Sequence, residues 1–203
     1  MKKRMFNDKF KLTEMVIQRR KTMTSDILPE LGAETKLVGT NKNGDFEFRI
    51  GDNYNTVAIK PKFKVGEVVA VAQRNDTLYQ EGVWGYAAEA DLIDKYSHTA
   101  GWCNKMFVRP DLMPHQIRIE KVKCEKLQQI SEEDMIKEGV IRYAKPFDNN
   151  PYLVERFTYR TPGVNHTYNS PLMAFLRIIG DIFGKDTWLN NPYRIAYEFT
   201  LIK

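Results

Sequence analysis

Cysteine is scarce in this sequence, histidine nearly so, and long apolar runs are missing. Each shortage removes a class of protein. Cys103 and Cys124 are too few and too far apart in 203 residues for a disulfide framework or a zinc ribbon. They read as two reduced thiols in a cytoplasmic protein. No stretch approaches the ~20 consecutive apolar residues of a membrane helix. Met1-Lys2-Lys3-Arg4 imitates the start of a signal peptide, but no apolar segment follows it. A Gly-rich phosphate loop, HExxH, CxxC and a nucleophile elbow are all missing, so no motif implies a cofactor or a metal.

What is present is material for one core. Hydrophobic residues make up 42% of the chain, and the length favours one elaborated domain over two. The net charge of +5 is compatible with a nucleic-acid partner without requiring one. Most of the chain reads as short strands. Lys36-Leu37-Val38 and the alternating Phe46, Phe48 and Ile50 flank an Asn43-Gly44 turn, a hairpin signature. Val57-Ala58-Ile59 makes a third strand, and Val68–Ala72, apolar on both faces, reads as central and covered. Gln73 is the first polar side chain beyond it and is a candidate ligand contact.

From Tyr79 to Tyr96 the pattern turns helical, and Trp102 and His115 flank the irregular passage that follows. Over 115–127 the apolar phase flips near Glu120-Lys121, which predicts a bulge. Ser131-Glu132-Glu133-Asp134 starts a helix that Gly139 can end, and it reads as structural. Residues 141–150 read as loop beyond a possible short strand, with a variable insertion over 146–169. Ser170-Pro171 opens the clearest helix, with an apolar stripe at Leu172, Phe175, Leu176, Ile179 and Phe183. In the last strand Ile195, Tyr197, Phe199 and Leu201 alternate with Arg194, Ala196, Glu198 and Thr200, giving one core face and one wet or ligand-facing side. Several short strands, two or three helices and no βαβ rhythm predict an α+β fold with a small bent sheet or barrel.

The one concentration of chemistry is Arg19-Arg20-Lys21-Thr22-Met23-Thr24, which follows a short helical pattern that starts near Thr13 and ends around Thr22. Residues 25–31, with Pro29, read as a turn or loop. A cation cluster there can hold phosphate, and a Lys beside a Thr can serve as base to a hydroxyl nucleophile. On composition alone, a solvated basic helix end explains it as well.

Arg20-Lys21-Thr22-Met23-Thr24 resembles the Gly-Arg-Lys-Thr-x-Thr signature of ASCH domains, which have the PUA-like fold. The similarity continues through Lys64-Val65-Gly66-Glu67, Trp102, Met113-Pro114, 125–134, Glu138-Gly139 and Thr187-Trp188-x-x-Asn191-Pro192-Tyr193. It covers most of the chain, least over 35–60 and 141–169, where it implies insertions in a single domain, and it is most like phage and mobile-element versions. The resemblance implies a pseudo-barrel flanked by helices, with a cleft for RNA or a nucleoside. Some ASCH proteins hydrolyse the acetyl amide of N4-acetylcytidine with a Lys, a Thr and a Glu. The Lys and Thr fall on Lys21 and Thr24, while Arg118 falls at the Glu position and Glu120 lies two residues further on the same strand face. Ser25 and Asp26 stand where the family has arginines.

Two functions are therefore expected. The first is a regulatory module that binds RNA or a modified nucleotide in a basic cleft through Arg20, Lys21, Gln73, Trp102 and Arg118. An extra guanidinium suits that role better than amide hydrolysis. The second is an amidohydrolase with Thr24 as nucleophile, Lys21 as base and Glu120 as the carboxylate.

Overall fold

The computed structural model describes residues 1–28, 31, 34–51, 56–83, 86–147, 150–159 and 167–203. In chain order the first elements are β1 (Lys2–Arg4), α1 (Leu12–Ile17), β2 (Met23–Leu28), β3 (Thr35–Thr40), β4 (Phe46–Ile50) and β5 (Thr56–Ile59). Next come β6 (Val68–Val71), α2 (Asn75–Gln80), α3 (Tyr86–Tyr96), β7 (Gln116–Lys126) and α4 (Glu132–Lys137). The chain closes with β8 (Ile141–Phe147), β9 (Asn150–Thr158), α5 (Pro171–Phe183), α6 (Thr187–Asn190) and β10 (Tyr193–Leu201).

The fold is mixed α+β. Five strands form one sheet in the order β1-β6-β7-β10-β2, with β3-β4-β5 and β8-β9 as separate smaller sheets. β1 runs parallel to β6, and the other neighbours in the large sheet are antiparallel. Of the expected small bent sheet or barrel, the described residues form open sheets and no closed barrel. The two edge strands of the large sheet are nevertheless tied by a side chain. Arg4 of β1 donates to Asp26 Oδ1 at 2.5 Å and to Thr24 Oγ1 at 2.9 Å, both on β2.

The local sequence signals hold where they rest on turns and caps. Asn41 Oδ1 accepts from Asn43 N and Asp45 N, and Gly44 takes φ +83° in the β3–β4 turn. Ser170 caps α5 by accepting from Met173 N, with Pro171 in the first turn. The α5 stripe buries Ala174, Phe175, Ile178 and Ile179, while Phe183 stays exposed. The bulge in β7 falls at Glu120, which pairs with no residue of β10 between Ile119↔Phe199 and Lys121↔Glu198. β6 is buried as expected, but it lies one strand in from the edge and not at the centre.

Three expectations need correction. Residues 23–28, read in part as loop, form β2, because pairing in register with β10 supplies what their irregular polarity does not. The helix expected to reach Thr22 stops at Ile17. Much of 141–150 is strand, β8 pairing antiparallel with β9. The turn at Pro162-Gly163 and part of the 146–169 tract lie outside the described residues.

The core gathers Phe6, Phe10, Val16, Val71, Ile117, Phe175, Tyr193 and Tyr197, and extends to Phe48 of β4 and Phe157 of β9. Edge-to-face contacts lock it, with ring centroids 5.0 Å apart for Phe48–Tyr193 and 5.3 Å for Phe63–Tyr197. No helix among the described residues is long and apolar enough to cross a membrane.

Candidate active site

The end of α1 decides which cations of the Arg19–Thr24 stretch face inward. Arg20 N donates to Met15 O and Arg19 N to Val16 O, the paired bonds of a Schellman cap. Arg19 occupies the left-handed position at φ +59°, where glycine is usual, so the turn carries some backbone strain. The turn leaves Arg19 and Arg20 exposed and drives Lys21 inward to 3% exposure. Thr22 N then bonds Lys137 O at 3.0 Å, which fastens the start of β2 to the end of α4.

α4 brings the carboxylate. Ser131 caps it by accepting from Asp134 N, and acidic residues fill its first turn. It runs out at Glu138, and Gly139 follows at φ +120°, a conformation that strains any other residue. A Cβ at Gly139 would lie 3.5 Å from Leu12 Cδ2 and 3.8 Å from Lys21 Cδ, ordinary van der Waals contact, so the backbone conformation and not space selects glycine. This glycine lets the helix end meet the buried lysine.

The result is a cavity of ≈ 220 Å³ beside β2. Its polar wall carries Arg4, Lys21, Thr24, Ser25, Asp26, Glu138 and Arg194. Its apolar wall is largely α5, with Phe175, Ile178, Ile179, Ile182 and Phe183. Lys21 Nζ donates to Glu138 Oε2 at 2.9 Å and to the Glu138 main-chain carbonyl. Ser25 Oγ donates to Glu138 Oε1 and accepts from Arg194 Nη1 at 2.9 Å. Arg194 is wholly buried and also donates through Nε and Nη2 to Glu125 Oε1. Lys123, bonded to Asp134, extends this network along the sheet.

Every cation on the cavity wall therefore already faces a carboxylate: Arg4 faces Asp26, Lys21 faces Glu138, and Arg194 faces Glu125 and Glu138. Burial pushes the Lys21 amine below its ordinary value, and the guanidinium groups of Arg4 and Arg194 push it further, against the pull of Glu138. Burial alone would raise Glu138, but Lys21, Arg194 and the Ser25 hydroxyl outweigh it and hold the carboxyl below its ordinary range. An amine more acidic than an ordinary lysine thus sits on a carboxylate held below its ordinary value. Such a pair can shuttle a proton for a neighbouring hydroxyl.

The structure brings Lys21 and Thr24 into this cavity and leaves the other expected residues outside it. Glu120 is exposed on the β7 bulge and lines a separate cavity of ≈ 510 Å³, so the carboxylate beside Lys21 is Glu138. Arg118 is exposed on β7, opposite Thr200, and does not line the Lys21 cavity. Arg20 is exposed, and Trp102 lies against Tyr79 with ring centroids 5.9 Å apart. Gln73 is buried and faces a third cavity.

Arg4, Ser25, Asp26, Glu138 and Arg194 went unassigned by sequence reasoning. The motif Glu138-Gly139 and the polar face of the last strand were the available signals. Cys124 has no place in this chemistry, since burial pushes its thiol up to about 12. Among the described residues no group of three or more His, Cys, Asp or Glu could hold a metal ion. Neither the models of known protein families, nor the curated proteins, nor the solved structures contain a match to this chain.

Proposed function

We propose that this chain is a PUA-like, ASCH-type module that takes a modified nucleobase into the cavity beside β2 and hydrolyses an acyl amide on it. The observation that carries this reading is the buried Lys21, which shares a small, half-apolar cavity with the Thr24 hydroxyl and the Glu138 carboxylate. The apolar wall from α5 suits a planar base. The pairing of each wall cation with a carboxylate leaves no free charge there for a phosphate, so a neutral amide fits better than a nucleotide's anionic end. The series of ASCH-like motifs supports the same class of ligand.

In this reaction the Thr24 oxygen attacks the acyl carbonyl while the free amine of Lys21 takes the hydroxyl proton. The C–N bond breaks, and the leaving amine of the base collects that proton from the Lys21 ammonium. This leaves an ester on Thr24. Water then attacks the ester, Lys21 takes its proton, and Thr24 recovers a proton as the free acid departs. Glu138 holds Lys21 in place, and Arg4 Nη2, 2.9 Å from Thr24 Oγ1, eases loss of the proton from that hydroxyl.

Mass spectrometry of the purified chain incubated with N4-acetylcytidine tests the proposal. Cytidine and acetate should accumulate and should vanish in Thr24→Ala and Lys21→Ala. Turnover that survives Thr24→Ala contradicts it. A second reading rests on the exposed Arg19 and Arg20 at the end of α1. In it the chain binds RNA as a regulator, one base entering the cavity while outer cations meet the backbone. Such binding should weaken steeply with added salt, because phosphate contacts release counterions.

A further inference from the structure

The edges of the two larger sheets are protected unequally. An uncovered edge strand is a template for pairing with another chain, so folded proteins blunt it with charge or cover it. β1 is three cations, Lys2, Lys3 and Arg4, each held by its side chain. β2 is covered in part by Arg4, which donates to the Ser25 carbonyl. β3 is closed by Tyr193, whose hydroxyl accepts from Leu37 N at 3.0 Å and donates to Thr35 O at 3.1 Å. β5 has no such cover among the described residues. Thr56, Val57 and Ala58 are exposed, and the strand carries neither charge nor proline.

The Tyr193 bonds also set the phase of the small sheet. Thr35 and Leu37 point their backbone groups away from β4, so Phe48, opposite Leu37, points its own toward β5. Phe48 pairs with Val57 and Phe46 with Ile59, which leaves Thr56 and Ala58 with N–H and C=O directed outward. An antiparallel neighbour must meet them with outward groups of its own.

We infer that β5 pairs antiparallel with β5 of a second copy of this chain, about a two-fold axis at Ala58. That register pairs all of 56–60, setting Ala58 against Ala58, Val57 against Ile59 and Thr56 against Lys60. It opposes no like charges. It also covers apolar surface, because Val57 is 43% exposed and Ile50, on the same face of the sheet, is 48% exposed. Five residues a side bury less than the ~1,000 Å² of a firm interface, so the dimer forms reversibly as concentration rises. The two small sheets then become one sheet of six strands.

Sedimentation velocity of the full chain from about 1 μM to about 1 mM tests the inference and should show a growing dimer fraction. Ala58→Pro removes an outward N–H at the kind of edge position that tolerates proline. It should melt near the wild-type temperature and weaken dimerisation at least roughly tenfold, because the axis removes two bonds at once. Ala58→Cys gives a second readout. Residues opposite each other in a bonded pair lie about 5.5 Å apart, within the span of a disulfide. Mild oxidation should therefore join the two introduced thiols, as peptide mapping would show. A chain that stays monomeric throughout overturns the inference. So does a dimer that Ala58→Pro leaves unchanged, or one whose introduced thiols never join.

Discussion

The cavity beside β2 and the cavity that Gln73 faces, between α1 and α2, bury polar groups in opposite ways. In the first, Lys21, Glu138 and Arg194 are buried and each is paired, so the proton affinities of Lys21 and Glu138 shift without leaving a bond unmade. In the second, Gln73 is buried as deeply but its carbonyl meets no partner among the described residues. Removing one member should therefore destabilise the first and stabilise the second.

The largest effect should come from breaking the buried ion pair. Glu138→Gln leaves the Lys21 charge without a carboxylate and should cost about 3–5 kcal/mol in urea unfolding. Lys21→Met should cost less, because Glu138 keeps Arg194 and Ser25. Equal losses in the two variants would show that the pair does not carry the asymmetry.

Arg4→Met removes the side chain that ties the two edge strands of the open sheet. Its loss should cost about 1–3 kcal/mol, the scale of hydrogen bonds to charged groups. Amide exchange should accelerate in β1 more than in β7. Unchanged protection in β1 would mean that the Ala72–Arg4 and β6 backbone bonds hold that edge unaided.

The pH dependence of stability follows from the two shifts. The Glu138 value in the folded chain lies below its ordinary 4.5, so its stabilising effect is present above that value and is lost as pH falls through the lower one. Lys21 is lowered from 10.5, so the folded chain releases its proton first, and stability rises with pH between the lowered value and 10.5. Urea midpoints across the acid range should fall less steeply in Glu138→Gln than in the wild-type chain.

Gln73→Met should gain about 1 kcal/mol. The smallest effects belong to Arg118→Ala and Glu120→Ala, which should each stay within about 0.5 kcal/mol and leave turnover intact. A large loss of turnover in Glu120→Ala would return that residue to the site.

The sequence made some of this legible and hid the rest for a physical reason. The Asn43-Gly44 turn, the Ser170-Pro171 helix start and the phase flip at Glu120 are local events, written in neighbouring residues. β2 carries no such signal, since its strand character comes from pairing with β10 about 170 residues later. The same holds for the site. Lys21 and Thr24 are three residues apart and form a readable motif, whereas Lys21 and Glu138 meet across 117 positions. Glu138 was in view only as part of the Glu138-Gly139 motif, at the end of a helix read as structural. Arg194 stood out only as part of an alternating polar face, and nothing local distinguishes a wet arginine from one buried among carboxylates.

The central claim is that Thr24 carries the acyl group. Rapid acid quench of the chain with N4-acetylcytidine, followed by peptide mapping, reads this directly. The account predicts one acetyl group on the peptide containing Thr24, formed with a burst of cytidine and missing in Lys21→Ala. Cytidine release with no acetyl on Thr24, or with the acetyl on Ser25, contradicts it.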